Sequence, residues 1–475
     1  MPDFPMENPA IEDTFSLNSK DFGKDFAWGV ASSAYQVEGA YRLHGKGPSI
    51  WDTFTARKGT TFQGHHGQIA CDFYHRYRED LQLMQAMNLA HFRFSISWPR
   101  LLPQGKGARS EKGLDFYDRL LDTCLEKGIT PWVTLYHWDL PQALQDKGGW
   151  GNRDIVGWFT DYATLCARRY GDRVNHWMVL NEPMVFTGAG YFLGVHAPGE
   201  RGLKKFLPAV HHAVLGQAAG GRVLRSECLQ AEIGTTFSCS HITPRGPGKL
   251  DQEAADKADA LLNRLFLEPA LGLGYPAGTL GVLKRLEPYV KANDMKDAGF
   301  DFDFIGLQNY TREVVAHSYF VPYLSARIIK ATKRNVPTTL MDWEVNPRGM
   351  YYMIRKFSAY SGIRKIIISE NGAAFKDDLC KGKVHDPRRL SYLQEYLQEV
   401  HLAMKEGSPV GGYFVWTFTD NFEWAEGYYP RFGLVYTDFP TQKRILKSSG
   451  QWYARFIGQQ AEDFTGRGSM KELQR

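Results

Sequence analysis

The feature that most constrains the fold of this chain is a regular alternation of apolar, strand-like runs with helical segments. Eight runs rich in β-branched and aromatic residues stand out, at residues 26–34, 91–97, 130–138, 175–183, 231–240, 303–310, 365–372 and 411–420. Between them the apolar spacing becomes helical, as in the predicted helix face of Leu114, Tyr117, Leu121 and Leu125. Strands that alternate with helices favour a parallel sheet, and eight such units favour a closed (β/α)8 TIM barrel of the α/β class.

The lengths of the connections indicate where a functional pocket would lie. The longest segments follow the first, fourth, fifth and sixth runs, so in a barrel they would wall a deep pocket over the C-terminal face. No break in composition divides the chain. We therefore predict an N-terminal extension of residues 1–21, one barrel domain of residues 22–460 and a C-terminal tail of residues 461–475. An open, doubly wound sheet is the alternative, but residues 28–33 lack its Gly-rich turn.

Composition excludes several classes of protein. The 57 basic and 52 acidic residues are mixed along the chain, so we expect no nucleic-acid site. No apolar stretch approaches the length of a membrane span. The first 24 residues lack a basic region followed by an apolar run, so we expect no secretory signal peptide and a cytoplasmic location. The six cysteines show no zinc-site spacing, and we expect neither a metal nor a cofactor.

Two glutamates stand out because each ends an apolar run. Glu182 follows residues 178–180, in the fourth run, and Glu370 follows residues 366–368, in the seventh. A single glutamate at a strand end is as readily a solvated rim residue as a functional one. Two of them on strands of the same barrel point toward the same axis, which favours a paired function.

Paired carboxyl groups at a barrel mouth are typical of glycosidic bond cleavage. One group must donate a proton to the leaving oxygen, while its partner acts on the other face of the sugar ring. When the two carboxyls are about 5–5.5 Å apart, the partner attacks directly and the anomeric configuration is retained. The donor must hold its proton near neutral pH, so its pKa must be raised by burial and by its anionic neighbour.

Five motifs lie at the ends of these runs: FAWGVASSAYQVEG at residues 26–39, HWDLP at 137–141, NEP at 181–183, ISENG at 368–372 and WTFTDNFEW at 416–424. Together they resemble glycoside hydrolase family 1, the β-glucosidase family, from about residue 22 to residue 456. Three positions depart from the family pattern: Val179 replaces a usual Thr, Gln308-Asn309 precedes Tyr310 where many members have Asn-Tyr, and Asp342 replaces a common Gly. These departures bear on loop shape and aglycone preference.

The resemblance implies the catalytic roles. Glu182 resembles the acid/base and Glu370 the nucleophile of the family. Asn181 is expected to bind the sugar 2-hydroxyl, and Tyr310 is expected to hydrogen-bond the nucleophile. Arg93 lies inside the second run, so we expect it to be buried, to pair with Glu370 and to favour the charged carboxylate.

The resemblance also implies how a sugar would be held. The expected ligands of its 3-, 4- and 6-hydroxyls are Gln36, His137, Glu423 and Trp424. Trp416 resembles the platform beneath the sugar, and Trp343 resembles the tryptophan that contacts the aglycone. For His196 we favour a structural role.

The expected substrate is a small β-glycoside or cello-oligosaccharide, cleaved at its non-reducing end by double displacement. Glucosides, galactosides and fucosides all fit this expectation, whereas a 6-phosphate does not, because residues 421–427 carry no cation and Glu423 would repel it. Transglycosylation on the same scaffold is the close alternative. A catalytically inactive sugar-binding barrel would lack one of the two glutamates, and a metal-dependent isomerase would need a carboxylate and His cluster. The sequence makes no prediction of oligomeric state.

Overall fold

A computed structural model of the protein describes residues 15–461. Its centre is a closed barrel of eight parallel strands: β1 Ala27–Ala31, β2 His91–Ser95, β3 Thr130–Tyr136, β4 His176–Asn181, β5 Glu232–Ser238, β6 Phe304–Gln308, β7 Ile366–Asn371 and β8 Val410–Trp416. Each strand pairs with the next along the chain, and β8 closes the barrel by pairing with β1. The predicted (β/α)8 fold is confirmed; seven of the predicted runs contain one of these strands, and β8 begins one residue before the eighth.

Eight longer helices follow the strands in turn: α1 Phe73–Ala86, α2 Glu111–Glu126, α3 Ile155–Tyr170, α4 Leu203–Glu227, α5 Lys249–Asp259, α6 Pro347–Ser358, α7 Pro387–Lys405 and α8 Ser448–Ala461. Shorter helical turns lie at Ser19–Phe22, Ala34–Val37, Leu43–Gly45, Ile50–Thr55, Phe62–Gly64, Trp98–Leu101, Gln142–Gln145, Gly149–Gly151, Pro183–Thr187, Gly188–Leu193, Ala260–Arg264, Leu267–Ala270, Gly281–Tyr289, Asp294–Asp297, Ala331–Lys333 and Trp424–Glu426. The predicted face of α2 is confirmed except at Leu125, which is exposed in its last turn.

The long connections after β5 and β6 build a separate three-stranded sheet above the barrel. It contains His241–Pro244, Arg312–His317 and Ala326–Ile329, with Arg312–His317 in the middle. The helix α5 packs on this sheet through Ala254 and Ala258. Two hairpin-like pairs complete the strands, Leu379–Cys380 with Lys383–Val384 and Val435–Asp438 with Lys443–Leu446.

The part of the predicted N-terminal extension that the structure describes packs on the barrel. Phe15 contacts the rings of Trp452 and Phe456 on α8, at centroid distances of 5.4 and 5.6 Å. The division into an extension, a barrel domain and a tail stays a prediction, because residues 1–14 and 462–475 lie outside the described residues. Within residues 15–461, no helix has the length and apolar character needed to cross a bilayer.

Irregularities in two strands decide where their terminal side chains point. In β7, Ile367 packs inside the barrel, whereas Ile366 and Ile368 pack in the larger core that includes the helices. The pairing register of β7 shifts against both of its neighbours, β6 and β8, between Ile368 and the end of the strand. The register of β4 against β5 shifts between Met178 and Asn181. Such bulges re-aim side chains beside functional sites. Each shift immediately precedes one of the two predicted glutamates.

Candidate active site

A cavity of about 300 Å³ opens at the C-terminal ends of the barrel strands. Eight of the eleven predicted site residues line it: His137, Glu182, Tyr310, Trp343, Glu370, Trp416, Glu423 and Trp424. The other three, Gln36, Arg93 and Asn181, are completely buried and support lining residues from behind. The structure therefore brings the predicted residues together at one end of the barrel.

Glu370, at the end of β7, is held by groups from two other strand ends. Arg93 donates from Nη1 to one carboxyl oxygen, and the Tyr310 hydroxyl donates to the other at 2.7 Å. Burial raises the pKa of Glu370, while the Arg93 charge and the hydrogen bonds from Arg93 and Tyr310 lower it. The backbone beyond Glu370 also constrains the site, since a Cβ at Gly372 would lie 1.8 Å from the carbonyl oxygen of Trp416.

Glu182, which directly follows β4, has different surroundings. Its backbone is left-handed, with φ of +45°, and it is followed by the short helix Pro183–Thr187. Within the described part of the chain it forms no ion pair, and among its neighbours the Ser238 hydroxyl lowers its pKa. Burial first, and then the charge of Glu370, raise the pKa of Glu182 well above its ordinary value. A group in this setting retains its proton near neutral pH.

Arg93 also binds Asn181, the residue that precedes Glu182. Its Nη2 donates to Asn181 Oδ1 at 2.5 Å, and the Asn181 side-chain nitrogen donates to His137 Nε2 at 3.0 Å. Burial and the Arg93 charge lower the pKa of His137 well below its ordinary value, so the ring is neutral. Because Nε2 accepts a hydrogen bond, the single ring proton lies on Nδ1. That buried atom has no partner among residues 15–461.

Glu423 is a third buried carboxyl group in the cavity. Gln36 Nε2 donates to Glu423 Oε2 at 3.3 Å and to the carbonyl oxygen of Phe422 at 2.9 Å. Burial, with a contribution from the Glu370 charge, raises the pKa of Glu423 to about 8. Of the three carboxyl groups, only Glu370 contacts the buried guanidinium, so it is the one for which the charged form is most favoured.

Aromatic rings form much of the remaining surface. Trp424 packs against Trp138 and Trp51, at centroid distances of 4.5 and 4.6 Å. His137 stacks on Trp416 at 5.8 Å with an interplanar angle of 25°. Flat apolar faces next to hydrogen-bonding groups suit a sugar ring, which has apolar faces and a polar edge.

Trp343 is fixed in place by the residue that follows it. The buried carboxylate of Glu344 receives Arg312 Nη2 at 2.6 Å and Arg334 Nη1 at 2.5 Å. Trp343 itself lies 5.3 Å from Tyr310 and 6.1 Å from Phe432 between ring centroids. This clamp, Arg312–Glu344–Arg334, joins the Trp343 loop to the three-stranded sheet.

Sequence reasoning missed several residues of the cavity and its support. Ser238, Glu313 and Phe432 line the cavity, and Gln308 Nε2 donates to Asn181 Oδ1 at 2.9 Å. His196, for which we favoured a structural role, also lines the cavity, and burial lowers its pKa to about 4. The position of Gln308 at a strand end is a signal that it lies near the barrel mouth, although nothing local indicates its contact with Asn181. Phe432 offered none, because it lies in a loop that returns to the barrel mouth.

No cluster of three or more His, Cys, Asp or Glu side chains within residues 15–461 is arranged to hold a metal ion. All six cysteines are free, and five of them are buried. The chemistry that the cavity supports by itself is acid–base and nucleophilic chemistry of carboxyl groups.

Comparison with known proteins gives one family. The sequence model described as Glycosyl hydrolase family 1 matches residues 18–462. Beta-glucosidase A from Thermotoga maritima is 42% identical over 443 residues, covering 93% of this chain and 98% of that protein. Beta-glucosidase A from Acetivibrio thermocellus is 42% identical over 444 residues, covering 92% and 98%.

Solved structures agree with this match. A family 1 β-glucosidase from Thermotoga maritima has a TM-score of 0.89 at 41% identity, covering 92% of this chain and 98% of that one. The AHE enzyme from Alicyclobacillus herbarius has a TM-score of 0.89 at 39% identity, covering 94% and 98%. The resemblance inferred from the motifs is thereby confirmed, and the chain belongs to glycosyl hydrolase family 1.

Proposed function

We propose that this protein is a retaining β-glucosidase in which Glu370 is the nucleophile and Glu182 the acid/base. The observation that carries the proposal is the unequal environment of two glutamates in one cavity. Glu370 contacts a buried guanidinium and a phenol, whereas Glu182 has no ion-pair partner in residues 15–461. The first arrangement favours a carboxylate and the second favours a protonated acid.

In the first step, a Glu370 oxygen attacks the anomeric carbon of the bound sugar. Glu182 gives its proton to the glycosidic oxygen, the bond from that oxygen to the anomeric carbon breaks, and the leaving group departs as an alcohol. The product on the protein is a glycosyl ester of Glu370. The Tyr310 hydroxyl, 2.7 Å from Glu370 Oε2, keeps the carboxylate oriented during the attack.

In the second step, Glu182 acts as the base. Once the ester has formed, Glu370 carries no charge, and its contribution to the raised pKa of Glu182 disappears. Glu182 can then take a proton from water as that water attacks the anomeric carbon and releases Glu370. Two inversions at the same carbon give net retention.

The sugar itself is assigned to the inner end of the cavity. His137 offers an unpartnered Nδ1 proton, and Glu423 and Trp424 lie in the same wall, as expected for ligands of the 3-, 4- and 6-hydroxyls. Trp416 is the proposed platform beneath the ring. Asn181, the expected ligand of the 2-hydroxyl, and Gln36 both lie behind the lining residues. Their main proposed role is therefore to orient the side chains that they bind, His137 for Asn181 and Glu423 for Gln36.

The substrate is proposed to be an unphosphorylated β-glycoside or cello-oligosaccharide. In the described part of the chain, no lysine or arginine lines the cavity, which disfavours a 6-phosphate. Relatives named beta-glucosidase and 1,4-beta-D-glucan glucohydrolase support a glucoside. β-Galactosides and β-fucosides are further proposed substrates, because hydroxyl ligands such as Glu423 can both donate and accept hydrogen bonds when protonated. A cytoplasmic location stays a prediction.

The test is a panel of aryl β-glucosides, β-galactosides, β-fucosides and cello-oligosaccharides, with the anomeric form of the first product followed by proton NMR. We expect β-glucose to appear first from β-glucosides and to convert slowly to the α anomer. If the α anomer appears first, the double-displacement proposal is wrong. Transglycosylation, which uses the same ester, predicts new glycosides when an alcohol or sugar acceptor is added.

A further inference from the structure

Two groups of side chains among those that line the cavity are of opposite character. The aromatic wall consists of Tyr310, Trp343 and Phe432. The polar wall consists of Ser238, Ser240, Thr311 and Glu313. The polar wall is continuous, because the segment after β5 and the segment after β6 run side by side from the barrel into the three-stranded sheet.

Glu313 is the only member of the polar wall that can carry a charge, and its carboxyl group is unpaired among residues 15–461. The two nearby arginines, Arg312 and Arg334, both bind Glu344 instead. Burial is the main cause that raises the pKa of Glu313 to about 7. Near neutral pH this carboxyl group can therefore either donate or accept a hydrogen bond.

A carboxyl group that lines a cavity without a protein partner is free to bind the hydroxyl groups of a ligand. Glu313 lines the cavity from the three-stranded sheet, whereas Glu182 and Glu370 lie at the ends of barrel strands. We propose that Glu313 determines leaving-group specificity by binding hydroxyls of a second sugar, an inference that rests on the proposed β-glucosidase function.

The two walls together fit a sugar better than an apolar aglycone. The rings of the aromatic wall can stack on an apolar ring face, while Glu313 and its hydroxyl neighbours bind the polar edge. An apolar aryl group would satisfy the aromatic wall alone and leave Glu313 unpaired. Sites built to bind hydroxyl groups discriminate strongly against ligands that lack them.

The experiment compares kcat/KM for cellobiose, which has a sugar leaving group, and for 4-nitrophenyl β-glucoside, which has an aromatic one. Wild type is measured beside Glu313→Leu, Glu313→Gln and the control Glu395→Gln. Glu395 is a suitable control because burial also raises its pKa, but it lies on α7 and does not line the cavity. Thermal unfolding of each variant accompanies the kinetics.

We expect Glu313→Leu to lower kcat/KM for cellobiose by about ten-fold or more and to change the aryl glucoside by less than about three-fold. Glu313→Gln should also lower kcat/KM more for cellobiose than for the aryl glucoside, but by a smaller factor. This second variant keeps the test valid if the leucine variant is unstable. Equal losses on both substrates, or no loss on cellobiose, would overturn the role of Glu313. If wild type cleaves neither compound, the proposed function is wrong and this inference fails with it.

Discussion

The ends of β4 and β7 are alike in their own residues and different in their neighbours. Each has an apolar run, a register shift and a buried glutamate at the barrel mouth. Glu370, however, contacts Arg93 from β2 and Tyr310 from just beyond β6, whereas Glu182 forms no ion pair within residues 15–461. The comparison teaches that two strand-end glutamates, both raised in pKa by burial, differ in proton affinity because of the groups that other strands bring to them.

The largest effect should follow from removing the carboxylate that is paired with Arg93. Glu370→Gly should lower turnover by on the order of 10⁴-fold or more, because no group remains to attack the anomeric carbon. Added azide should restore cleavage of activated aryl β-glucosides and give the α-glycosyl azide, which NMR identifies. Azide with Glu182→Ala should instead give the β-glycosyl azide. The two glutamates would have the opposite roles if these products were exchanged.

Removing the other glutamate should give a loss that depends on the leaving group. Glu182→Ala should lower kcat/KM for phenyl β-glucoside by about 10²–10⁴-fold, since that leaving group needs a proton. The first step with 2,4-dinitrophenyl β-glucoside, measured as a burst of phenol release, should be far less affected. Equal losses in this step for both compounds would contradict the acid role.

A smaller effect should follow from removing one hydrogen bond to Glu370 while the carboxylate itself is kept. Tyr310→Phe deletes the hydrogen bond at 2.7 Å to Glu370 Oε2, so kcat/KM should fall by about ten-fold. That hydrogen bond lowers the pKa of Glu370, and its loss should move the acid limb of the pH profile to higher pH. The control is Tyr351→Phe, which deletes a Tyr–Glu hydrogen bond outside the cavity. An acid limb that stays in place would show that Tyr310 does not tune Glu370.

The smallest effect concerns Glu423, the third buried carboxyl group of the cavity. Its pKa is about 8 in the folded protein, above the ordinary 4.5, so its contribution to stability is complete below pH 4.5 and is lost as pH rises through 8. Glu423→Gln should therefore reduce the fall in Tm between pH 5 and 9 by roughly 2 °C. The exposed Glu253 on α5 supplies the control Glu253→Gln. An unchanged slope in Glu423→Gln would mean that Glu423 is already charged in the folded protein.

Much of the barrel could be predicted from the sequence, because apolar runs and helical periods report local structure directly. The direction of Glu370 could not. Strict alternation from Ile367, which faces the barrel interior, would turn Glu370 outward, and only the bulge in β7 returns it to the cavity. A bulge depends on pairing between strands, and residues 365–372 carry no local signal of it.

Interactions between distant segments account for the other omissions. Gln308 replaces the more usual family residue, and its side-chain amide helps hold Asn181. No local sequence pattern indicates this contact. The Glu344 clamp needs Arg312 and Arg334, which come from two different parts of the connection after β6. Charged residues in a connection are normally interpreted as part of the solvated surface. Their convergence on one buried carboxylate is visible only in three dimensions.

The Arg312–Glu344–Arg334 clamp has a consequence for how such an enzyme can diversify. It fastens Trp343 to the three-stranded sheet, whereas Glu182 and Glu370 are positioned by the barrel strands. Under the proposed function, insertions or exchanges in the segment beyond Tyr310 can therefore reshape the leaving-group end of the cavity without moving the two proposed catalytic glutamates. Substrate range and reaction type are, in this architecture, separable traits.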